Sequence, residues 1–210
     1  MPDFAIEDAA ARSGAARIAG IDEAGRGPLA GPVFAAAVVI AKGALGRGLL
    51  ARIDDSKVLA PPERDDIDAA LRAAPGVAIG VGHADVLEID SLNILQATFL
   101  AMARAVAALG DRPDVALVDG SQVPRVGCPV RCVVGGDGLS LSIAAASIVA
   151  KVARDRVMID MAARFPGYGW ERNKGYGTAE HRAAIRRLGV TPEHRRSFAP
   201  IAHILGITSA

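Results

Sequence analysis

Cysteine is scarce: Cys128 and Cys132 are the two thiols in 210 residues. Four positions apart, they cannot complete a four-ligand zinc site without distant histidines, and they read as incidental thiols of a reduced, cytoplasmic chain. Aromatic residues make up 4% of the sequence, so the core is expected to be built from Ala, Val, Ile and Leu. No stretch is long enough to span a bilayer without carrying charge. The N-terminus is acidic before it is basic (Asp3, Glu7, Asp8) and lacks the apolar run of a signal peptide. A Gly-x4-Gly-Lys-Ser/Thr loop is missing, which disfavours a P-loop nucleotide hydrolase. A Gly-x-Ser-x-Gly elbow is missing too, which counts against a Ser-His-Asp hydrolase.

What is present is an ordinary globular composition, 51% hydrophobic and 22% charged. The net charge of +1 hides an asymmetry. Residues 1–150 hold 13 Lys and Arg against 18 Asp and Glu (net −5), and residues 151–210 hold 11 against 5 (net +6). An acidic body with a basic last quarter suits a polyanion binder with a metal-holding acidic site, and it suits equally a solvated helical surface. Neither a repeat nor an interdomain linker is visible. Residues 1–16 read as a flexible, Ala-rich tail, and 17–210 as a single domain.

Along the chain, Arg17 to Ile21 and Val33 to Ile40 read as adjacent strands, the second antiparallel to the first. A helix is predicted from Pro61-Pro62, because proline suits a first helical turn. Further strands are expected at Val77 to Val81, Asp114 to Asp119 and Arg131 to Val134. Helical periodicity runs from about Asp85 to Leu109, with Leu95, Phe99, Met102, Val106 and Leu109 as a core stripe. It returns from Ser140 to Arg164, where Ile148, Val152 and Ile159 share a face, and from Ala179 to Leu188.

Three strand ends carry acids: Asp22-Glu23, Asp119 and Asp137. Strand ends are where open α/β sheets place their ligand and catalytic groups. On a regular strand Asp22 and Glu23 point to opposite faces, so sharing one site requires the strand to end there. Gly25-Arg26-Gly27 follows, offering backbone N–H groups and a guanidinium to an anion. Ser56 and Lys57 are suited to a phosphate by a hydroxyl and an ammonium. The Gly-rich loop from Tyr168 to Thr178 sets Trp170 and Tyr176 among Arg172, Lys174, His181 and Arg182; its aromatics are suited either to stacking on a sugar or base or to packing the loop down. Four converging carboxylates repel unless cations intervene. Oxygen-only ligands select hard ions such as Mg²⁺ or Mn²⁺, and two such ions about 4 Å apart support phosphodiester hydrolysis. The residues alone therefore reach a metal-dependent phosphodiesterase acting on a polyanion. A nucleic-acid-binding protein without turnover stays open.

The run Gly20-Ile-Asp-Glu-Ala-Gly-Arg-Gly-Pro-Leu-Ala-Gly-Pro32 resembles the signature of the ribonuclease HII family, the type 2 ribonucleases H of bacteria. The likeness continues in Asp55-Ser-Lys57, Asn93 to Thr98, Val118-Asp-Gly120, Gly136-Asp137, and Ile143 to Lys151 with Arg154-Asp155. Lys174-Gly-Tyr-Gly-Thr178 with His181 and His194-Arg-Arg-Ser-Phe198 complete it, so residues 17 to 203 are covered in the family's order. The resemblance implies a ribonuclease H-like α/β fold, with a mixed five-stranded sheet flanked by helices and a helical C-terminal portion. It implies that Asp22, Glu23, Asp119 and Asp137 hold two Mn²⁺ or Mg²⁺ ions and carry catalysis. It implies that Gly25, Arg26 and Gly27 sense the ribose 2′-OH, that Ser56 and Lys57 hold phosphates, and that Tyr176 stacks beneath the adjoining deoxyribose. The implied substrates are RNA/DNA hybrids and duplex DNA containing single ribonucleotides, cut 5′ of the ribonucleotide to leave 5′-phosphate and 3′-hydroxyl ends. The implied role is ribonucleotide excision and primer removal. A monomer is expected, and no docking tail for a sliding clamp is evident at Ile201 to Ala210. A resolvase-type DNA nuclease shares the acidic chemistry and is the nearest alternative.

Overall fold

The computed structural model describes residues 1–207; the last three positions of the segment 201–210 lie outside the described residues. Five strands form one sheet in the order β3-β2-β1-β4-β5: β1 (Ile18–Ala24), β2 (Val33–Ile40), β3 (Val77–Ala84), β4 (Val115–Asp119) and β5 (Val130–Val133). β1 with β2 and β2 with β3 are antiparallel, whereas β1 with β4 and β4 with β5 are parallel. The mixed five-stranded sheet implied by the resemblance is what the chain adopts. The helices are α1 (Ala5–Arg12), α2 (Arg47–Leu50), α3 (Pro61–Ala73), α4 (Val86–Leu92), α5 (Ile94–Ala107), α6 (Leu141–Arg164), α7 (Trp170–Asn173), α8 (Ala179–Leu188) and α9 (Ala199–Ile204).

The strand period of two divides the core. On β2, Val33, Ala35, Ala37 and Val39 join Ala19 and Ile21 of β1 against α5. Ala36 and Val38 face the other way, toward α6 and α3. Small residues set how near the helices lie. A Cβ at Gly20 would sit 2.1 Å from the Ser142 carbonyl carbon, and one at Gly80 would sit 2.0 Å from the Ala105 oxygen. Both helices thus lie on glycine-paved strands, and the Ala144-Ala-Ala run of α6 is wholly buried.

Several elements depart from expectation. Part of the stretch taken as a flexible tail forms α1, with Glu7 buried. Its Oε1 accepts hydrogen bonds from Ser140 Oγ (2.6 Å), Ser142 N (2.9 Å) and Ser142 Oγ (2.7 Å). Those donors offset the cost of taking a carboxylate from water, and they lie more than 130 residues away, where local sequence gives no sign of them. The long helix expected over 85–109 is broken at Asn93, whose positive φ of 69° ends α4 while its side chain caps α5 through Leu95 N and Gln96 N. Ile159, placed on the core stripe of α6, is 50% exposed, and Met158 and Met161 are buried at that end instead.

Gly20→Ala is expected to cost about 3 kcal/mol, near the upper end for overpacking, because the new methyl meets backbone rather than a movable side chain. Urea denaturation of the variant beside the unaltered protein measures this.

Candidate active site

β1 and β4 stay paired only as far as Ile21 with Val118. Beyond that point β1 continues on β2 to Ala24, and β4 continues on β5, with Asp119 opposite Val133. Asp22 and Asp119 are therefore the first residues past the shared seam, where no backbone stands between their side chains. Ile21 and Val118 face α5, so alternation turns Asp22 and Asp119 to the α6 face. Asp137 reaches the same place from a single 3₁₀ turn, Gly136–Gly138, just before α6. One carboxylate oxygen from each of Asp22, Asp119 and Asp137 lies within 4.8 Å of the other two.

Each carboxylate is held. Asp22 Oδ1 accepts from Glu23 N at 2.7 Å, Asp119 Oδ1 from Gly136 N at 2.7 Å, and Asp137 Oδ2 from Lys57 Nζ at 2.8 Å. Burial, reinforced by the charges of Glu23 and Asp119, pushes the Asp22 pKa well above the usual carboxylate range. Burial pulls the Lys57 ammonium down, but its hydrogen bond to Asp137 and the charges of Asp137, Asp55 and Asp22 outweigh this and raise its pKa. An acidic triad with Asp22 and Asp137 buried, Asp119 half-buried and one ammonium against it is short of positive charge, and its all-oxygen donor set fits a hard divalent cation.

Glu23 stands apart from this group. The expectation that the strand ends before it is not met: β1 runs on to Ala24 with Glu23 opposite Ala35, so Glu23 points to the α5 side. There it pairs with Arg26 at 3.2 Å. Burial raises its pKa against the pull of Arg26, and the Asp119 charge adds to the rise, so the two carboxylates share one electrostatic neighbourhood.

A cleft of about 230 Å³ beside the triad is lined by Gly25, Arg26, Gly27, Ser56, Lys57 and Tyr176, together with Glu23, Lys151 and Arg154. All six residues expected to touch substrate are thus on one surface. Tyr176 is 45% exposed, and a Cβ at Gly27 would lie 3.6 Å from its ring. The other aromatics of that loop divide from it: Tyr168 and Trp170 stack on each other at 5.1 Å within the core. Ser56 is largely buried, its N–H donating to Ser147 Oγ at 3.3 Å.

Two groups went unassigned in the sequence. Arg154 and Arg195 are fully buried and hydrogen-bond to carbonyls of the loop after β1. Both stand in the motifs that carried the resemblance, yet nothing local marks an arginine as buried. The second group is a histidine relay. Trp170 Nε1–H donates to His181 Nε2 at 2.9 Å, which leaves the His181 proton on Nδ1 to donate to the Tyr176 carbonyl at 2.9 Å. His194 Nε2–H lies 3.2 Å from the same His181 Nε2, sharing its one lone pair with Trp170, and His194 Nδ1 accepts from Thr191 N at 3.0 Å. These tautomers are assigned from the partners, and they require both rings to be neutral.

Burial and the neighbouring His181 push His194 down to about 4 from 6.5. Between those values the unfolded chain binds the proton and the folded one does not, so stability is present above pH 6.5 and is lost as pH falls toward 4. The loss attributable to this residue is on the order of 3 kcal/mol. Denaturation midpoints taken across that range should show it, and His194→Gln should flatten the curve.

Comparison with known proteins agrees with this geometry. The family model described as Ribonuclease HII matches residues 19–201. The Ribonuclease HII of Rhodospirillum rubrum is 60% identical over 205 residues, covering 98% of this chain and 92% of that protein. The crystal structure of the ribonuclease H2 from Pyrococcus horikoshii OT3 superposes with a TM-score of 0.72 at 25% identity, over 90% of this chain and 96% of that one. The structure of Bst-RNase HIII in complex with Mn²⁺ superposes with a TM-score of 0.66 at 20% identity, over 95% and 72%, and shows the fold alone. With a family match over most of its length and the acidic triad at the opened seam of a ribonuclease H-like sheet, the chain belongs to the ribonuclease HII family, metal-dependent endoribonucleases of RNA/DNA hybrids.

Proposed function

We propose that this protein cuts the RNA strand of RNA/DNA hybrids, and duplex DNA on the 5′ side of a single embedded ribonucleotide, leaving 5′-phosphate and 3′-hydroxyl ends. The observation that carries the reading is the convergence of Asp22, Asp119 and Asp137 within 4.8 Å, beside a cleft lined by Gly25, Arg26, Gly27 and Tyr176. Asp22, Asp119 and Asp137 would hold Mg²⁺ or Mn²⁺, two ions during turnover, with Glu23 completing the set from the far side of β1. Bst-RNase HIII, which shares the fold, has been solved in complex with Mn²⁺, and such a donor set accords with that ion. Bound divalent ions supply activation of the attacking water and stabilisation of the leaving oxygen.

The chain's own groups do the rest. The raised Asp22 and Glu23 carboxylates lose their reason to stay protonated once cations share the site. Lys57, which neutralises Asp137 at 2.8 Å, is placed with Ser56 to hold a substrate phosphate. The Gly25-Arg26-Gly27 backbone reads the 2′-OH, the group that separates RNA from DNA. Tyr176 stacks beneath the following deoxyribose and favours an RNA-to-DNA step. The protein works as a cytoplasmic monomer in ribonucleotide excision and primer removal.

The test is cleavage of end-labelled duplex DNA containing one ribonucleotide, with Mg²⁺ or Mn²⁺, beside an all-deoxy duplex. The expected result is a single cut 5′ of the ribonucleotide, abolished by chelator and absent from the all-deoxy duplex. Cutting of both duplexes identifies a general resolvase-type nuclease, and tight binding with no cut identifies a binding protein; either overturns the proposal. In the same assay Asp119→Asn should lower the rate by about 10³-fold or more, several kcal/mol of lost transition-state stabilisation, with an unchanged circular dichroism spectrum. Undiminished cleavage would sink the metal assignment.

A further inference from the structure

Arg154 and Arg195 present an energetic puzzle. Both guanidinium groups are buried, at 1% and 0% exposure, and among the described residues neither forms a salt bridge with a carboxylate. Their partners are carbonyl oxygens. Arg154 donates to Pro32 O (3.0 Å), Ala30 O (3.2 Å) and Lys174 O (3.0 Å). Arg195 donates to Gly31 O (2.9 Å), Arg26 O (2.9 Å) and Gly25 O (2.6 Å). Two like charges taken from water side by side are a poor route to stability, since apolar side chains of similar volume generally do as well or better. What a planar fork of donors supplies that an apolar group cannot is a fixed distance between the chains it bridges.

Arg154 bridges the two loops that flank the substrate cleft, and Arg195 fixes the first of them from within. Arg195 turns the Gly25 and Arg26 carbonyls inward. In planar trans peptides this turns the following N–H groups, those of Arg26 and Gly27, the opposite way. Among the described residues neither N–H has a protein acceptor, and both residues line the cleft. Arg154 ties the same loop to Lys174, two residues before Tyr176, and Leu29 N donates to Gly175 O at 2.8 Å alongside it. The two elements approach closely: a Cβ at Gly25 would lie 2.0 Å from Arg154 Nε, and one at Gly175 would lie 2.6 Å from the Ala30 oxygen.

We propose that Arg154 and Arg195 are positioning residues that set the spacing between the Gly25–Gly27 amides and the Tyr176 ring, and with it the requirement for a ribonucleotide followed by a deoxyribonucleotide. This rests on the reading of those amides as the 2′-OH contact and of Tyr176 as the stacking platform. Neither arginine touches the carboxylates that would hold the metal, so metal affinity and junction preference separate. A staple that merely stabilised the fold would leave the preference intact in any variant that folds.

The test compares the unaltered protein with Arg154→Lys and Arg195→Lys, each keeping the charge and losing the fork. The substrates are a hybrid whose RNA strand contains an RNA–DNA junction and an all-RNA/DNA hybrid of equal length. The ratio of kcat/KM on the two substrates should fall by at least about tenfold in the variants, as sub-ångström misplacement of a substrate does. Mn²⁺ affinity, titrated on the protein alone, should stay within about twofold of the unaltered value. A folded variant that keeps the full ratio overturns the inference. So does one in which Mn²⁺ affinity falls in step with the ratio. Should neither lysine variant fold, Gly175→Ala decides, because it alters the spacing while leaving both arginines in place; an unchanged ratio there also overturns the inference. Lack of any junction preference in the unaltered protein is a different failure, which removes the 2′-OH reading and this inference with it.

Discussion

The close approach of α6 to β1 is the constraint on which the site depends. Asp137 belongs to the turn that precedes α6, and Asp22 belongs to β1, so their separation is set by how near the helix lies to the strand. That nearness exists because position 20 has no side chain: any Cβ there would overlap the Ser142 backbone. The parallel seam between β1 and β4 supplies the other half. It ends at Ile21 with Val118 and releases the next residue of each strand into common space. Three carboxylates that repel one another are thus assembled by packing and pairing elsewhere in the chain, and the repulsion is left for cations to relieve. Burial sharpens the arrangement by raising Asp22 far above its ordinary range.

Much of this could be read from residues alone. The sheet strands announced themselves as short apolar runs, and Val33 to Ile40 matches its strand end for end. Acids at strand ends pointed to a metal site because strand ends are where a sheet stops hydrogen-bonding and side chains become free to converge. What escaped reading is long-range or depends on sign of direction. The docking of α1 depends on Glu7 meeting serines on the far side of the chain. The break at Asn93 hides inside an unbroken apolar periodicity, since one residue with positive φ leaves the stripe nearly in register. Glu23 follows Asp22 so closely that only the length of β1 decides which face it takes, and strand ends are poorly marked by composition. The grouping of the substrate-facing residues came from resemblance, because no local pattern ties position 26 to position 176.

Charge around the site is arranged in layers. The triad lies at the end of the sheet with Lys57 against it. Arg26 bridges to Glu23 at the cleft's surface. Beneath the loop sit two guanidinium groups whose hydrogen bonds go to backbone carbonyls. Burial draws them down, to about 10 for Arg154 and about 9 for Arg195, so both stay charged at neutral pH. Farther back the histidine relay is neutral, and its hydrogen bonds end on the Tyr176 carbonyl. Moving inward from the acids, one therefore meets negative, then positive, then uncharged but strictly oriented groups. Such an order gives an incoming polyanion a favourable field on the loop side and reserves the acidic side for cations.

The tie between Glu7 and the start of α6 bears on the order in which the chain acquires its structure. The first helix leaves the ribosome early, yet the hydroxyl and amide groups that receive its carboxylate are made about 135 residues later. β1 likewise waits for β4, its parallel neighbour on one edge. A nascent chain that has reached only position 110 holds β1, β2 and β3 with an open edge and a helix whose serine partners do not yet exist. Non-local closures of this kind slow folding and leave strand edges exposed while they are pending. Synthesis of the Asp137 turn and the start of α6 is thus the event that gives the first helix its partners, and the three clustered acids come together in the same step.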